Sequence, residues 1–369
     1  MKARILIEKF EAFAPKSIAE PNDPVGLQIG SLNQDVKKVM VTLDVRPEVV
    51  AEAIENQVDF IFSHHPLMFR PAKNLDLANP QNQMYADLLK HDIVVYSAHT
   101  NLDNAPGGMN DWLAQVISLR HTSGLVFRQN EPEYLLSIQV PSNDIDAVRL
   151  ALAAYRRAGD SVSDASFQTS GISWFTPTDD QAGMNGVVGE RTWADMVSLK
   201  LKVRQADLAE TVALMKEVHP LANPSYEVVQ LHNEGRSIWM GRVGELEKPM
   251  TIREFAESCK TAFDVKGLRL ISHTPDKLVH RVAILGGSGG RFYPDVLKQQ
   301  ADVYVTGDIS YHPAHDMLAA GLSVVDPGHH IESVCKPRLK HLFNQWRLEN
   351  NWDIDITMSE LNTDPFTFI

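Results

Sequence analysis

Gln57-Val58-Asp59-Phe60-Ile61-Phe62 returns later in the chain as Gln300-Ala301-Asp302-Val303-Tyr304-Val305, and Lys38-Val39-Met40-Val41 returns as Arg281-Val282-Ala283-Ile284. Both pairs align without gaps at one offset of 243 positions, 300 against 57 and 281 against 38. Val39 to Leu43 and Val58 to Phe62 are apolar runs without polar alternation. Such runs belong to strands covered on both faces, so the class is α/β. Between them Pro47 to Asn56 reads as a helix opened by proline. A third strand repeats at offset 230, where Val94-Val95-Tyr96-Ser97-Ala98-His99 resembles Val324-Val325-Asp326-Pro327-Gly328-His329. Two related β-α-β halves are therefore expected in one body.

Between the halves the rhythm changes. A strand at Tyr134 to Val140 and a helix at Asp144 to Arg157 are followed by strands near Ala165 to Phe175 and Val197 to Val203. A helix at Ala206 to Val218 and a strand at Tyr226 to Leu231 close the order β-α-β-β-α-β, the split ferredoxin-like arrangement. The expected organisation is an α/β body of residues 1–126 and 235–369 interrupted by an α+β insert of residues 127–234. Asn350 to Ile369 carries no periodic signal and is assigned no element.

The chain has 369 residues, 44% of them hydrophobic and 22% charged, enough to bury a sizeable core. Lys+Arg 35 against Asp+Glu 47 gives a net charge of -12, which offers no general attraction to nucleic acid or anionic lipid. No apolar run reaches the length of a membrane helix, and the start MKARILIEKFEAF is charged where a signal peptide is apolar. A soluble, cytoplasmic protein without a membrane partner is expected. Cys259 and Cys335 are too few for a disulfide framework or a four-thiolate zinc site. Any metal must rest on histidine and carboxylate.

Those residues gather at strand ends. Ser63-His64-His65-Pro66 follows one strand, His99-Thr100-Asn101-Leu102-Asp103 another, and Gly328-His329-His330-Ile331-Glu332 the equivalent strand of the second half. In open α/β sheets the ligand crevice lies beyond the carboxyl ends of the strands. His64, His65, Asp103, His329 and Glu332 form the expected ligand set. Imidazole with carboxylate suits Zn, Fe, Mn, Co or Ni better than Ca or Mg, and five such ligands exceed what one catalytic ion takes. Two divalent transition-metal ions about 3.5–4 Å apart would use them all, with Asp103 as the expected bridge.

Other residues carry weaker signals. His99 and His330 adjoin the ligands as outer donors or proton carriers. Asp308 is the repeat counterpart of His65, where it orients a ligand or a water, or caps a turn. His312 supplies a general acid or base beyond it, or is a surface histidine. Gly287, Ser288 and Gly289 lie in Gly286-Gly287-Ser288-Gly289-Gly290, which cradles an anionic group or forms a tight turn; the Lys-Ser/Thr ending of a nucleotide loop is missing. Asp23-Pro24-Val25-Gly26-Leu27 reads as a turn into a strand, with nothing in it that demands chemistry.

At these residues the chain resembles the GTP cyclohydrolase I type 2 homologues, the NIF-three-like proteins. The matching stretches are Asp23 to Gly30, Ser63 to Pro66, His99 to Asp111, Gly286 to Gly290, Thr306 to Asp308 with Tyr311-His312, and Asp326 to Glu332. The resemblance implies a dinuclear metal centre on the same five ligands. It also implies a toroidal homohexamer with the sites facing an inner cavity, and a PII- or CutA-like insert. Pro24 stands where members commonly carry Asn, and His219 to Pro224 replaces their acidic run.

The leading expectation is a metal-dependent hydrolase acting on a nucleotide-like small molecule. With GTP, as the family name implies, activated water would attack the imidazole carbon of guanine and release formate, with His99, Asp308 or His312 moving the proton. The alternative is a metal or metallocofactor binding or regulatory protein. A nucleic-acid partner is disfavoured by the charge and by the lack of a basic stripe interleaved with aromatics.

Overall fold

The computed structural model describes residues 1–154, 165–177, 187–233 and 235–369. They form two compact units, residues 1–129 with 238–369, and residues 130–237. The chain opens with α1 (Ala3–Phe13), β1 (Gly26–Ile29), β2 (Lys38–Thr42), α2 (Pro47–Glu55), β3 (Phe60–Ser63), α3 (Pro80–Lys90), β4 (Val94–Ser97), α4 (Thr100–Asn104) and α5 (Met109–Val116). β5 (Arg120–Asn130) leads into the smaller unit, which runs β6 (Glu133–Pro141), α6 (Ile145–Ala154), β7 (Ser166–Phe175), β8 (Thr192–Arg204), α7 (Leu208–Val218) and β9 (Tyr226–Gln230). The chain returns through β10 (Ser237–Thr251), α8 (Ile252–Ala262), β11 (Arg269–Ile271), β12 (Leu278–Ile284) and α9 (Tyr293–Lys298). It ends with β13 (Val303–Val305), α10 (Tyr311–Ala319), β14 (Ser323–Asp326), α11 (Cys335–Glu349) and β15 (Asp355–Met358).

The larger unit holds two sheets, ordered β1-β4-β3-β2-β15 and β11-β14-β13-β12-β10-β5. In each, three parallel strands stand beside an antiparallel edge strand, β1 on β4 and β11 on β14. The internal repeat is therefore a repeat of topology, and the residues that recur have local reasons to do so. Gln57 and Gln300 both take left-handed backbone, with φ of 55° and 54°. Asp59 accepts from the amides of Lys37 and Lys38, and Asp302 from those of His280 and Arg281, all within 2.8–2.9 Å. Each half thus uses one glutamine to end a helix and one aspartate to pin the start of the neighbouring strand.

The apolar runs are buried on both faces, as their lack of alternation requires. Val39, Val41, Phe60, Phe62, Val94 and Tyr96 of the first sheet pack in one core with Val282, Ile284, Val303, Val305 and Val325 of the second, together with Phe10, Phe255 and Phe343 from helices. The intervening residues Met40, Ile61 and Val95 face α2 and α3, while Ala283, Tyr304 and Val324 face α9 and α10. Phe62 is wholly buried, with its ring centroid 4.7 Å from Phe10 and 4.9 Å from Phe343.

The C-terminal stretch is not structureless. β15 adds in parallel to β2, pairing Ile356 with Val39, and Lys336 Nζ then donates to the carbonyls of Ser359 and Leu361. Only four residues form this strand, too short a run for a period to register. In the smaller unit the sheet order is β7-β8-β6-β9, all antiparallel. β8 starts at Thr192, five residues before the strand expected at Val197. The last positions of the helix expected to reach Arg157 lie outside the described residues. Among the described residues no helix is long and apolar enough to cross a membrane.

Candidate metal centre

His64 and His65 follow β3, His99 and Asp103 follow β4, and His329 and Glu332 follow β14, so equivalent strand ends of both halves meet at one rim. Asn110 joins them from within the fold. Its side-chain amide donates to the Asp103 carbonyl at 3.0 Å and its oxygen accepts from the Gly286 amide at 3.0 Å, linking the ligand turn of the first half to the glycine loop of the second.

Every imidazole is held from behind. His64 Nδ1 lies 2.8 Å from the Ala98 carbonyl, which only accepts, so Nδ1 carries the proton and Nε2 presents a lone pair. His65 Nδ1 is 2.6 Å from Asp44 Oδ1, His329 Nδ1 is 2.7 Å from Asp308 Oδ2, and His99 Nδ1 is 2.8 Å from Asp23 Oδ1. An oxygen behind one ring nitrogen fixes the tautomer and turns the other nitrogen inward, the usual support of a metal-binding histidine.

The inward nitrogens converge on Glu332. Its Oε2 lies 3.0 Å from His65 Nε2, 3.2 Å from His329 Nε2 and 3.7 Å from His64 Nε2. Asp103 Oδ1 stands 3.6 Å from the same His64 nitrogen. Three groupings result, His65-His329-Glu332, His64-Asp103-Glu332 and His64-His65-His99, each with its ligand atoms within 4.8 Å of one another. Glu332 is the carboxylate common to the two groupings that contain one, whereas Asp103, the bridge expected from sequence, enters one. Asp103 sits on the short α4 and reaches only one side, whereas the turn carrying Glu332 places it between the histidines of both halves.

These atoms could hold a cation. His64 Nε2 and Asp103 Oδ1 are buried with no hydrogen-bond partner, and two lone-pair donors facing each other repel. Donors bound to one ion at about 2.1 Å lie roughly 3.0–3.5 Å apart, close to the spacings found. In the metal-free chain, protons partly take that role. Burial alone would lower His65 and His329, but hydrogen bonds to Asp44 and Glu332 raise His65 to about 10, and those to Glu332 and Asp308 raise His329 to about 9. Burial, then the Glu332 charge, raises Asp103 to about 8. His64, fully buried, is lowered to about 3 and stays neutral. Burial also opposes ionisation of Glu332, yet hydrogen bonds from His329 and His65 hold it well below the usual carboxylate range.

The remaining sequence candidates divide. His99 lies beside the cluster, its ring centroid 5.3 Å from that of His64 and 5.7 Å from that of His65, and Asp308 orients His329. His312 is not brought in. It is exposed on the first turn of α10 against Tyr311 and is not among the residues lining the cavity over the cluster. His330 enters none of these groupings, and the charges of Asp364 and Asp44 act on its ring. The glycine loop has a reason other than cradling an anion. A β-carbon on Gly286 or Gly287 would come within 2.8 or 2.9 Å of Glu332 Oε1, and Gly287 has φ +62°. The amides of Gly286 and Gly289 are already taken by Asn110 and Thr306.

Asp23, Asp44 and Asn110 were not singled out from sequence. Asp23 corrects the reading of its turn as chemically silent, since it accepts from the His99 ring and from both the amide and hydroxyl of Thr100. Asp44 carried a usable signal, because the 243-residue offset matches it to Gly287, a position on the same rim. Its other oxygen receives the Thr363 hydroxyl, so the C-terminal stretch reaches the support of His65.

A model of the Duf34/NIF3 (NGG1p interacting factor 3) family matches residues 1–365. The chain is 39% identical to a Listeria innocua protein named GTP cyclohydrolase 1 type 2 homolog, over 97% of this chain and 96% of that one. A Bacillus subtilis protein of the same name is 38% identical, over 99% and 98%. The crystal structure of a Bacillus cereus protein related to NIF3 superposes with a TM-score of 0.89 at 34% identity, covering 100% of this chain and 99% of that one.

Proposed function

The chain belongs to the Duf34/NIF3 family, and from that premise we propose that it is a dinuclear metal-dependent hydrolase of a nucleotide-like small molecule. His64, Asp103 and Glu332 would hold one divalent transition-metal ion and His65, His329 and Glu332 the other. The observation that carries this reading is Glu332 Oε2 facing three inward imidazole nitrogens beside an unpartnered His64-Asp103 pair. When bound, such a pair of ions lowers the pKa of water and polarises a substrate oxygen.

The chain's own residues do the rest. Asp44 and Asp308 keep His65 and His329 in one tautomer, and Asn110 keeps the two halves of the site in register. His99 is the proton carrier. Its Nδ1 donates to Asp23, its other nitrogen faces the cavity, and although burial lowers its pKa, the Asp23 hydrogen bond with the charges of Asp103, Asp23 and Glu332 raises it overall. A histidine so placed accepts a proton from water and passes it to a leaving group. We also propose the toroidal homohexamer that the resemblance implies and the cytoplasmic setting expected from the sequence.

The test is to load the purified protein with Mn, Fe, Co, Ni or Zn, measure metal per chain, and assay formate from GTP beside phosphate from nucleotides. Turnover that is lost in His64→Ala and slowed in His99→Gln with metal content retained supports the proposal. Two bound ions with no turnover on any of these would instead favour a metal-carrying or regulatory protein.

A further inference from the structure

The candidate ligands His65, Asp103, His329 and Glu332 line part of a cavity of about 770 Å³, room for a small organic molecule and far more than two ions and their waters require. The rest of its lining differs in character. Phe69, Phe292, Tyr293 and Ile309 supply flat, apolar wall, and Arg291 lines the cavity among them. Arg291 follows the glycine loop that packs on Glu332, so the same short stretch that makes room for the shared carboxylate also sets the guanidinium on the wall. The guanidinium lies over the Phe292 ring, 4.6 Å from its centroid.

Arg291 is exposed and, like Arg4, Arg46, Arg70 and Arg338 of this unit, has no acceptor among the described residues, but of these it is the one that lines the cavity. Arg242 is bound by both oxygens of Asp111, Arg128 by Glu20 and Arg269 by Asp326. Among the described residues the Arg291 guanidinium makes no ion pair or hydrogen bond. Stacking on Phe292 leaves the edge of the fork, with its N–H donors, open. Such a fork matches the two oxygens of a carboxylate or phosphate, and aromatic walls match a flat ring.

We propose that this part of the lining is a receptor for a ring compound bearing a single acidic group, phosphate or carboxylate, which Arg291 grips while the ring lies against Phe69, Phe292 and Tyr293. The proposal deepens the hydrolase reading and rests on it for orientation, since the group to be transformed then points toward the metals.

Matched probe pairs test it by calorimetry on the full chain, with metal content measured in every sample: guanosine monophosphate against guanosine, and nicotinate against nicotinamide. The two pairs separate phosphate from carboxylate. In the unaltered protein at least one acidic member is expected to bind about tenfold more tightly than its neutral partner, the effect of one charge-assisted bidentate contact. Added salt should reduce that preference. R291A should bring the pair to parity with metal content unchanged, and R291K should restore part of the difference. A preference that survives R291A, or no preference in either pair, overturns the receptor. Failure of the hydrolase reading is visible separately, as absent metal or absent turnover while the Arg291-dependent preference persists.

Discussion

Glu332 Oε2 lies 3.0 Å from His65 Nε2, although 267 positions separate the two residues in the chain. The contact joins the strand-end loops of the two halves at the residue that the two carboxylate-bearing groupings share. Glu332→Gln should therefore remove more than one ligand's worth of binding. Elemental analysis should find metal content falling from about two ions per chain to below about one, whereas Asp103→Asn should retain the ion held by His65 and His329.

Asp44 and Asp308 touch no other part of the cluster than the rear nitrogens of His65 and His329. Asp44→Asn and Asp308→Asn should each weaken metal binding roughly 10–100-fold, the usual cost of removing such an outer partner. Competition against a chelator of known affinity measures it. Asp23→Asn should leave metal affinity nearly unchanged and act instead on the pH profile of turnover through His99.

The metal-free protein should lose stability as pH rises. His65 and His329 are raised from 6.5 to about 10 and about 9, and Asp103 from 3.8 to about 8. The native state thus binds more protons than the unfolded chain, so the stabilisation is complete below each unfolded value and is lost through each folded one. Glu332 and His64 have the opposite sign, but their contributions change only below their ordinary values of 4.5 and 6.5. Thermal unfolding of chelator-treated protein should shift downward between about pH 6 and about pH 10. Metal-loaded protein should resist that shift, because ions replace the protons and bind more tightly as the ligands deprotonate.

Asn110→Ala leaves the Gly286 amide and the Asp103 carbonyl buried without partners. At about 1–3 kcal/mol for each unmet group, a loss of about 3 kcal/mol is expected in denaturant unfolding. Metal binding should weaken as well, since the same side chain aligns the two halves of the site.

Gly287→Ala tests the reason for the glycine loop. Its left-handed backbone and the 2.9 Å approach of Glu332 Oε1 both oppose a β-carbon. Metal affinity should fall further than in Gly321→Ala, where φ is also positive, at +76°, but nothing lies within 4 Å.

Much of this arrangement was legible from residues alone. The runs at Val39, Phe60, Val282 and Val303 announced strands buried on both faces, and the 243-residue offset announced that the halves share a topology. Local chemistry made those signals strong, because a helix-ending glutamine and a strand-pinning aspartate must recur wherever the same turn recurs. The His64-His65 pair was legible for a similar reason, being placed at a strand's carboxyl end by the strand itself. The role of Asp23 was not, because a turn sequence states its own backbone conformation and says nothing of which imidazole its carboxylate will meet 76 positions later. His312 misled in the opposite way: proximity to Asp308 in sequence did not survive the start of α10, whose first turn leaves that side chain exposed.

By itself, then, the chain determined the buried parallel strands of its two halves, their duplication and the identity of five candidate ligands, since each depends on periodicity or on residues within a few positions of a strand end. Only the tertiary structure decided that Glu332 is the shared carboxylate, that Asp44 and Asp23 stand behind His65 and His99, and that the glycines yield space to Glu332. Those are relations between loops of different strands. Their geometry follows from how two sheets close on a common core, a property of long-range packing to which no single segment holds the information.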